Sequence, residues 1–128
     1  MLPRIMIVED DDVIREIYAL KFDLEGFPVD VAENGQVALE TARTFLPDII
    51  LLDMVMPVMG GLDFMKRYLA DKTAQAAADI IVFSNISAPQ QMNEVLTMGA
   101  VEYWMKSDYT PEQVVRAISE RWNSQPAS

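Results

Sequence analysis

Ile49-Ile50-Leu51-Leu52-Asp53, near the middle of the chain, runs four aliphatic residues straight into a carboxylate. The run is too short for a helix and too apolar for a strand with one wet face, so it reads as a strand buried on both faces. A carboxylate ending such a strand is poorly solvated, so a bland structural role for Asp53 is hard to sustain. Working outward, residues 5–8, 28–32, 80–83 and 103–105 are four more short apolar runs that read as strands, and three of the five read as buried on both faces. Helical stripes lie between them. Val13, Ile17, Leu20 and Leu24 recur at i, i+4, i+7 and i+11. Val37, Ala38, Ala42 and Phe45 make a second stripe, Leu62, Met65, Tyr68 and Leu69 a third, and Met92, Val95 and Leu96 a fourth. Val114, Val115, Ile118 and Trp122 make the fifth.

Strict alternation of strand and helix implies an α/β domain, a parallel sheet covered on both faces with right-handed crossovers. Gly26 and Gly99 sit where the first and fourth helices should end. Ser87-Ala88-Pro89-Gln90 and Thr110-Pro111-Glu112-Gln113 both read as capping boxes, in which a hydroxyl takes an orphan N–H and the Gln reaches back. In doubly wound sheets ligands bind beyond the carboxyl ends of the strands. Those ends carry Glu9-Asp10-Asp11-Asp12, Asp53, Ser84 and Lys106. Asp11 or Asp12 is explained by capping the first helix.

Composition removes several chemistries. The 128 residues suit one domain, and 51% hydrophobic content supplies a core. Ten basic against twenty acidic residues give a net charge of −10, which argues against non-specific binding to nucleic acid or an anionic membrane. Without Cys or His there is no disulfide, no thiolate nucleophile, no Ser-His-Asp triad and no nitrogen- or sulfur-ligated metal. A metal here must sit on oxygen. The start, Met1-Leu2-Pro3-Arg4, lacks a signal-peptide core, and no apolar run approaches a membrane span, so a soluble, cytoplasmic domain is expected.

Bringing Glu9, Asp10 and Asp53 within about 4–6 Å sets up repulsions of a few kcal/mol per pair at an effective dielectric of about 20. Such a cluster raises a pKa or binds a cation, and hard oxygen ligands in an open cleft suit Mg²⁺. Lys106 and the Ser84 hydroxyl offer a cation and a donor to a tetrahedral anion. An Asp nucleophile with a metal, a cation and a hydroxyl describes phosphoryl transfer to carboxylate.

The motifs Ile5-Met6-Ile7-Val8-Glu9-Asp10-Asp11, Leu51-Leu52-Asp53-Met54-Val55-Met56-Pro57-Val58-Met59-Gly60-Gly61, Val82-Phe83-Ser84, Gly99-Ala100 and Tyr103-Trp104-Met105-Lys106 resemble the receiver domain of two-component response regulators, chemotaxis regulators among them. The resemblance spans about residues 4 to 122. It implies a flavodoxin-like, doubly wound five-stranded sheet of order 2-1-3-4-5, with the receiver over residues 1–122 and a polar tail over 123–128. It implies that Asp53 accepts a phosphoryl group from the phosphohistidine of a sensor histidine kinase or histidine phosphotransfer protein. Mg²⁺ would be held by Glu9, Asp10, Asp53 and the backbone carbonyl of Val55. Ser84 would be the switch hydroxyl, Tyr103 the aromatic that follows it, and Lys106 the phosphate-pairing cation. Pro57 and Gly60-Gly61 would shape the loop after the acceptor. The face of fourth helix, fifth strand and fifth helix would then switch toward a downstream protein target. Many members form homodimers there when phosphorylated, which leaves that state open for this chain. No catalysis beyond its own phosphorylation and dephosphorylation is expected, and no direct nucleic-acid or membrane binding.

Competing chemistries fail on particular residues. A haloacid-dehalogenase phosphatase needs a second Asp where Val55 stands, an FMN site needs a phosphate loop where four acids stand, and no P-loop is present. The alternative from another class is a pseudo-receiver that binds protein without being phosphorylated. Two departures from the family carry expectations. Relatives usually place Pro, joined by a cis bond, after the Lys; here Ser107 follows, and a cis bond to a non-proline residue costs about 2.5–4 kcal/mol, so a trans bond is expected. The resemblance implies that the positions two after the acceptor and two after the switch hydroxyl flank the line a hydrolytic water takes; here they are Val55 and Ile86, which cannot bind it, with Asn85 narrowing access, so a long-lived phosphoryl-aspartate is expected. The chain reads as either a stand-alone receiver or a piece of a longer regulator.

Overall fold

In the computed structural model, which describes residues 1–71 and 77–124, strands and helices alternate along the chain. The order is β1 (Ile5–Val8), α1 (Asp12–Leu24), β2 (Val29–Ala32), α2 (Gly35–Phe45), β3 (Ile49–Leu52), α3 (Gly61–Ala70), β4 (Asp79–Ser84), α4 (Pro89–Met98), β5 (Glu102–Met105) and α5 (Pro111–Ser124). A short 3₁₀ turn, Lys106–Asp108, joins the last two. All four strand pairings are parallel, and the sheet order is β2-β1-β3-β4-β5. The expected α/β fold and strand order are those observed. β1 and β3 are buried along their whole length and β4 all but its first residue, as near-continuous aliphatic runs demand.

Two apolar layers sandwich the sheet. Met6, Ile50, Leu52, Phe64 and Tyr68 belong to the one under α2, α3 and α4. Ile7, Leu51, Phe22, Trp104 and Ile118 belong to the one under α1 and α5. Alternate residues of one strand feed opposite layers, as the two-residue period requires.

Two expectations need correction. The α1 stripe of Val13, Ile17, Leu20 and Leu24 faces water, with Val13 65% and Leu24 72% exposed. The face on the sheet is that of Tyr18 and Phe22, with Ile14 beside them. α1 is apolar on two sides, and the side with the aromatic rings has more area to bury, so it takes the sheet. In α3 Phe64 is buried with Met65 and Tyr68 while Leu69 is exposed, and in α4 Val95 is buried while Leu96 is exposed. The second correction is Ser87, which caps nothing: α4 begins at Pro89 with Ala88 as its N-cap and no side-chain cap. Proline prefers the first helical position, which fixes the cap one residue before it. At α5 that residue is Thr110, and there the box forms: Gln113 N–H donates to Thr110 Oγ1 (3.2 Å) and Thr110 N–H to Gln113 Oε1 (2.8 Å).

Gly26 and Gly99 close α1 and α4 with positive φ, as read from the sequence. α5 runs through Asn123 and Ser124, where a polar tail was expected to begin; residues 125–128 of that tail lie outside the described residues. Among the described residues no helix is long and apolar enough to cross a membrane.

Candidate functional site

Register sets the site. Val8 pairs with Leu52 and Leu52 with Val82, so the residues that leave β1 and β3 emerge side by side. The ladder carries one step further, with Asp53 N–H donating to Val8 O (3.0 Å) and Glu9 N–H to Ala32 O (3.0 Å). Glu9 and Asp53 are thereby held by backbone bonds and are both buried; Asp10 is exposed. Carboxylate oxygens of Glu9, Asp10 and Asp53 lie within 4.8 Å of one another. This donor set is all oxygen and open on the Asp10 side, which fits a hard divalent cation that keeps some of its water.

Lys106 enters from the end of β5. Its ammonium bonds Glu9 Oε1 and lies 3.2 Å from Asp53 Oδ2. Ser84 donates its hydroxyl to Asp53 Oδ1 (3.1 Å), and Val55 N–H reaches the same oxygen at 3.4 Å. Burial pushes the Glu9 carboxyl up to about 7, with Lys106 pulling it down and Asp53 beside it adding to the rise. Burial pulls the Lys106 ammonium down, but Glu9 and Asp53 more than offset that and hold it above its ordinary value.

The loop after Asp53 folds back tightly on it. Gly61 N–H donates to Met54 O (3.1 Å), and a Cβ on Gly61 would stand 2.6 Å from Asp53 O. Only glycine fits there. Met59 N–H donates to Pro57 O (2.7 Å), closing a γ-turn around Val58, whose φ is +67°.

Tyr103 is half-buried against the layer under α4, and its hydroxyl donates to Ile86 O. Burial raises its pKa, with the Ser84 hydroxyl lowering it and Asp53 raising it. Val55, Ile86 and Tyr103 line a pocket of ≈ 330 Å³ between the acceptor loop and α4. The Lys106–Ser107 bond is trans, as expected, since there is no cis peptide bond among the described residues. One participant, Arg15, and one contact of Asn85 escape sequence reasoning. Arg15 donates to the carbonyls of Glu9 (2.8 Å) and Asp10 (3.4 Å), fastening the turn that carries both acids. Asn85 accepts from Ser107 N–H (3.1 Å), so its oxygen is engaged across two loops. Only the position of Arg15, one turn into the helix behind the acids, hints at its role.

The profile of the family described as "Response regulator receiver domain" matches residues 5–119. The alkaline phosphatase synthesis transcriptional regulatory protein SphR of Synechococcus elongatus is 35% identical over 135 residues, covering 97% of this chain and 51% of SphR. The chemotaxis protein CheY of Halobacterium salinarum is 29% identical over 94% of this chain and 97% of its own length. This chain thus spans about half of SphR and 22% of the regulatory protein AtoC of Escherichia coli, but nearly all of that CheY. Among solved structures, chemotaxis protein CheY4 of Vibrio cholerae superposes with a TM-score of 0.83 at 24% identity, covering 94% of this chain and 98% of that one, a likeness of fold.

Proposed function

The chain belongs to the response regulator receiver family of two-component systems, and from that premise we propose that it is a phosphoacceptor whose Asp53 takes a phosphoryl group from a partner's phosphohistidine. Receiver domains are signalling modules rather than enzymes acting on an outside substrate. The observation that carries the reading is the convergence on one carboxylate of Ser84, Lys106 and the Glu9–Asp10 pair, each from a different strand end or the loop behind it.

An Asp53 oxygen attacks phosphorus, the P–N bond breaks, and its electron pair returns to the imidazole, which leaves and takes up a proton. Lys106 brings positive charge to the equatorial oxygens, and the Ser84 hydroxyl and Val55 N–H stand ready as donors. Glu9, Asp10 and Asp53, with the Val55 carbonyl, would hold Mg²⁺, which supplies charge neutralisation when bound. Ser84 leaving Asp53 Oδ1 for a phosphoryl oxygen would change its contact with Tyr103, and so bias the face of α4, β5 and α5 toward a downstream partner or a second copy. Val55 and Ile86 offer an attacking water no hydrogen bond, which favours a long-lived phosphoryl-aspartate. Loss of one of these groups would favour the pseudo-receiver alternative, and all are present.

The donor is a sensor histidine kinase or a phosphotransfer protein. The water-facing stripe of α1 continues into an apolar hollow of ≈ 220 Å³ lined by Ile14, Ile17, Phe83 and Lys106, beside the acceptor, and suits an apolar helical partner. Incubation with Mg²⁺ and acetyl phosphate tests the core claim: the intact protein should gain one phosphoryl group by mass, and Asp53→Ala should not. Leu20→Asp should slow transfer from a protein donor while leaving acetyl phosphate transfer unchanged.

A further inference from the structure

The paired ladder of β4 and β5 ends at Ser84 and Met105. Ser84 and Lys106 are two of the groups that touch Asp53, and each stands at the point where its strand gives out. Beyond that point the two loops are tied: Ser107 N–H donates to the Asn85 side-chain oxygen at 3.1 Å. The immediate successor of the switch hydroxyl thus holds the immediate successor of the lysine. The first N–H groups of a helical turn have no partner within the turn, and the 3₁₀ turn Lys106–Asp108 has no cap from its own N-cap residue, Met105. Asn85 supplies the missing acceptor from another loop.

We propose that Asn85 is a positioning residue for phosphoryl transfer: by bonding Ser107 N–H it fixes the trans Lys106–Ser107 peptide and aims the Lys106 ammonium at Glu9 and Asp53. The bridge rests on the reading of Asp53 as phosphoacceptor and deepens it. Lys106 has four rotatable bonds between its backbone and its charge, so an anchored backbone is what limits where the ammonium can go. The bond is exposed to water and contributes little to global stability, so its effect belongs in the rate and in the order of the lysine side chain.

The test uses the full chain, wild type and Asn85→Ala, with Asn85→Asp as the variant that keeps the accepting oxygen. Three quantities are read: global unfolding, the NMR signals of the two Lys106 Hε protons with the Ser107 amide, and the acetyl phosphate rate at saturating Mg²⁺. In wild type the Hε protons should be resolved from each other, because a fixed methylene gives them different surroundings. Asn85→Ala should merge them, speed exchange of the Ser107 amide, and slow phosphorylation roughly fivefold to tenfold with unfolding unchanged. Asn85→Asp should restore the resolved pair and the amide protection. An Asn85→Ala protein with wild-type Hε signals and rate overturns the proposal. Absence of an Asp53-dependent mass gain in wild type overturns the phosphoacceptor reading instead, and the Lys106 spectra answer for Asn85 in either case.

Discussion

Leu52 and Asp53 are consecutive, and the molecule changes character between them. Up to Leu52 the central strands are aliphatic, fully buried and paired on both sides; their contribution is burial, at about 25 cal/mol per Å² of apolar surface. Beyond the strand ends, the loops that follow β1, β3 and β5 gather three carboxylates, one ammonium and a non-glycine residue of positive φ. The gathered carboxylates and the positive φ cost stability, and the Lys106 ammonium offsets part of that cost. The sheet provides the surplus that the rim consumes, and the two regions answer to different substitutions.

The largest contrast lies inside the fold. Ile50→Ala, at a fully buried site in β3, should lower unfolding free energy by about 2–5 kcal/mol, whereas Leu24→Ala on the outer face of α1 should stay within about 0.5 kcal/mol. Urea unfolding of both variants checks this. Similar losses would mean that the outer stripe is covered in solution.

Next comes pH. Glu9 has a folded pKa of about 7 against 4.5 for the free group, so its contribution is fully present below 4.5 and is lost as pH rises through 7. Without divalent cation, stability should fall across that window by at most about 3 kcal/mol, and Glu9→Gln should flatten the slope. The raised pKa of Lys106 acts only at alkaline pH and leaves the window clear. Chemical unfolding at intervals from pH 4.5 to 8 gives the curve.

Asp10→Asn separates function from stability most cleanly. Asp10 is exposed and stands close to two like charges, so its neutralisation should raise cation-free stability by up to about 1 kcal/mol. The same change should cut phosphorylation by about 10²-fold and weaken the Mg²⁺-induced rise in melting temperature. Full activity in Asp10→Asn would remove it from the site.

The smallest effect concerns the γ-turn. Val58 is 83% exposed at φ +67°, so Val58→Asn loses no packing and relieves a left-handed β-branched residue. Stability should rise by about 1 kcal/mol, measured by the shift in urea midpoint.

The strands and the rim were legible because both are written locally. The runs of β1, β3, β4 and β5 each lead into the residue that the sheet delivers to the rim, so Glu9, Asp53, Ser84 and Lys106 follow once the strands are found. The orientation of α1 was not legible: two apolar faces compete in its sequence, and only the area of Tyr18 and Phe22 against the sheet decides. Ser87 misled because a capping pattern was weighed without the stronger demand of Pro89 for the first helical position. The Asn85–Ser107 bond joins residues 22 apart across two loops, and no periodicity carries such a contact.

The bridging position of Lys106 has a consequence for the order of events. With the carboxylates of Glu9, Asp10 and Asp53 ionised, the rim holds three negative charges and one positive, a balance of −3 + 1 = −2. A phosphoryl donor carries about two negative charges of its own, so the bare rim repels it. One divalent cation brings the balance to zero. On the proposed function, productive encounters would begin with a bound cation, and raising salt should help the cation-free protein meet an anionic donor while doing little for the loaded one. The lysine makes the rim a site that two charges of the right sign can neutralise.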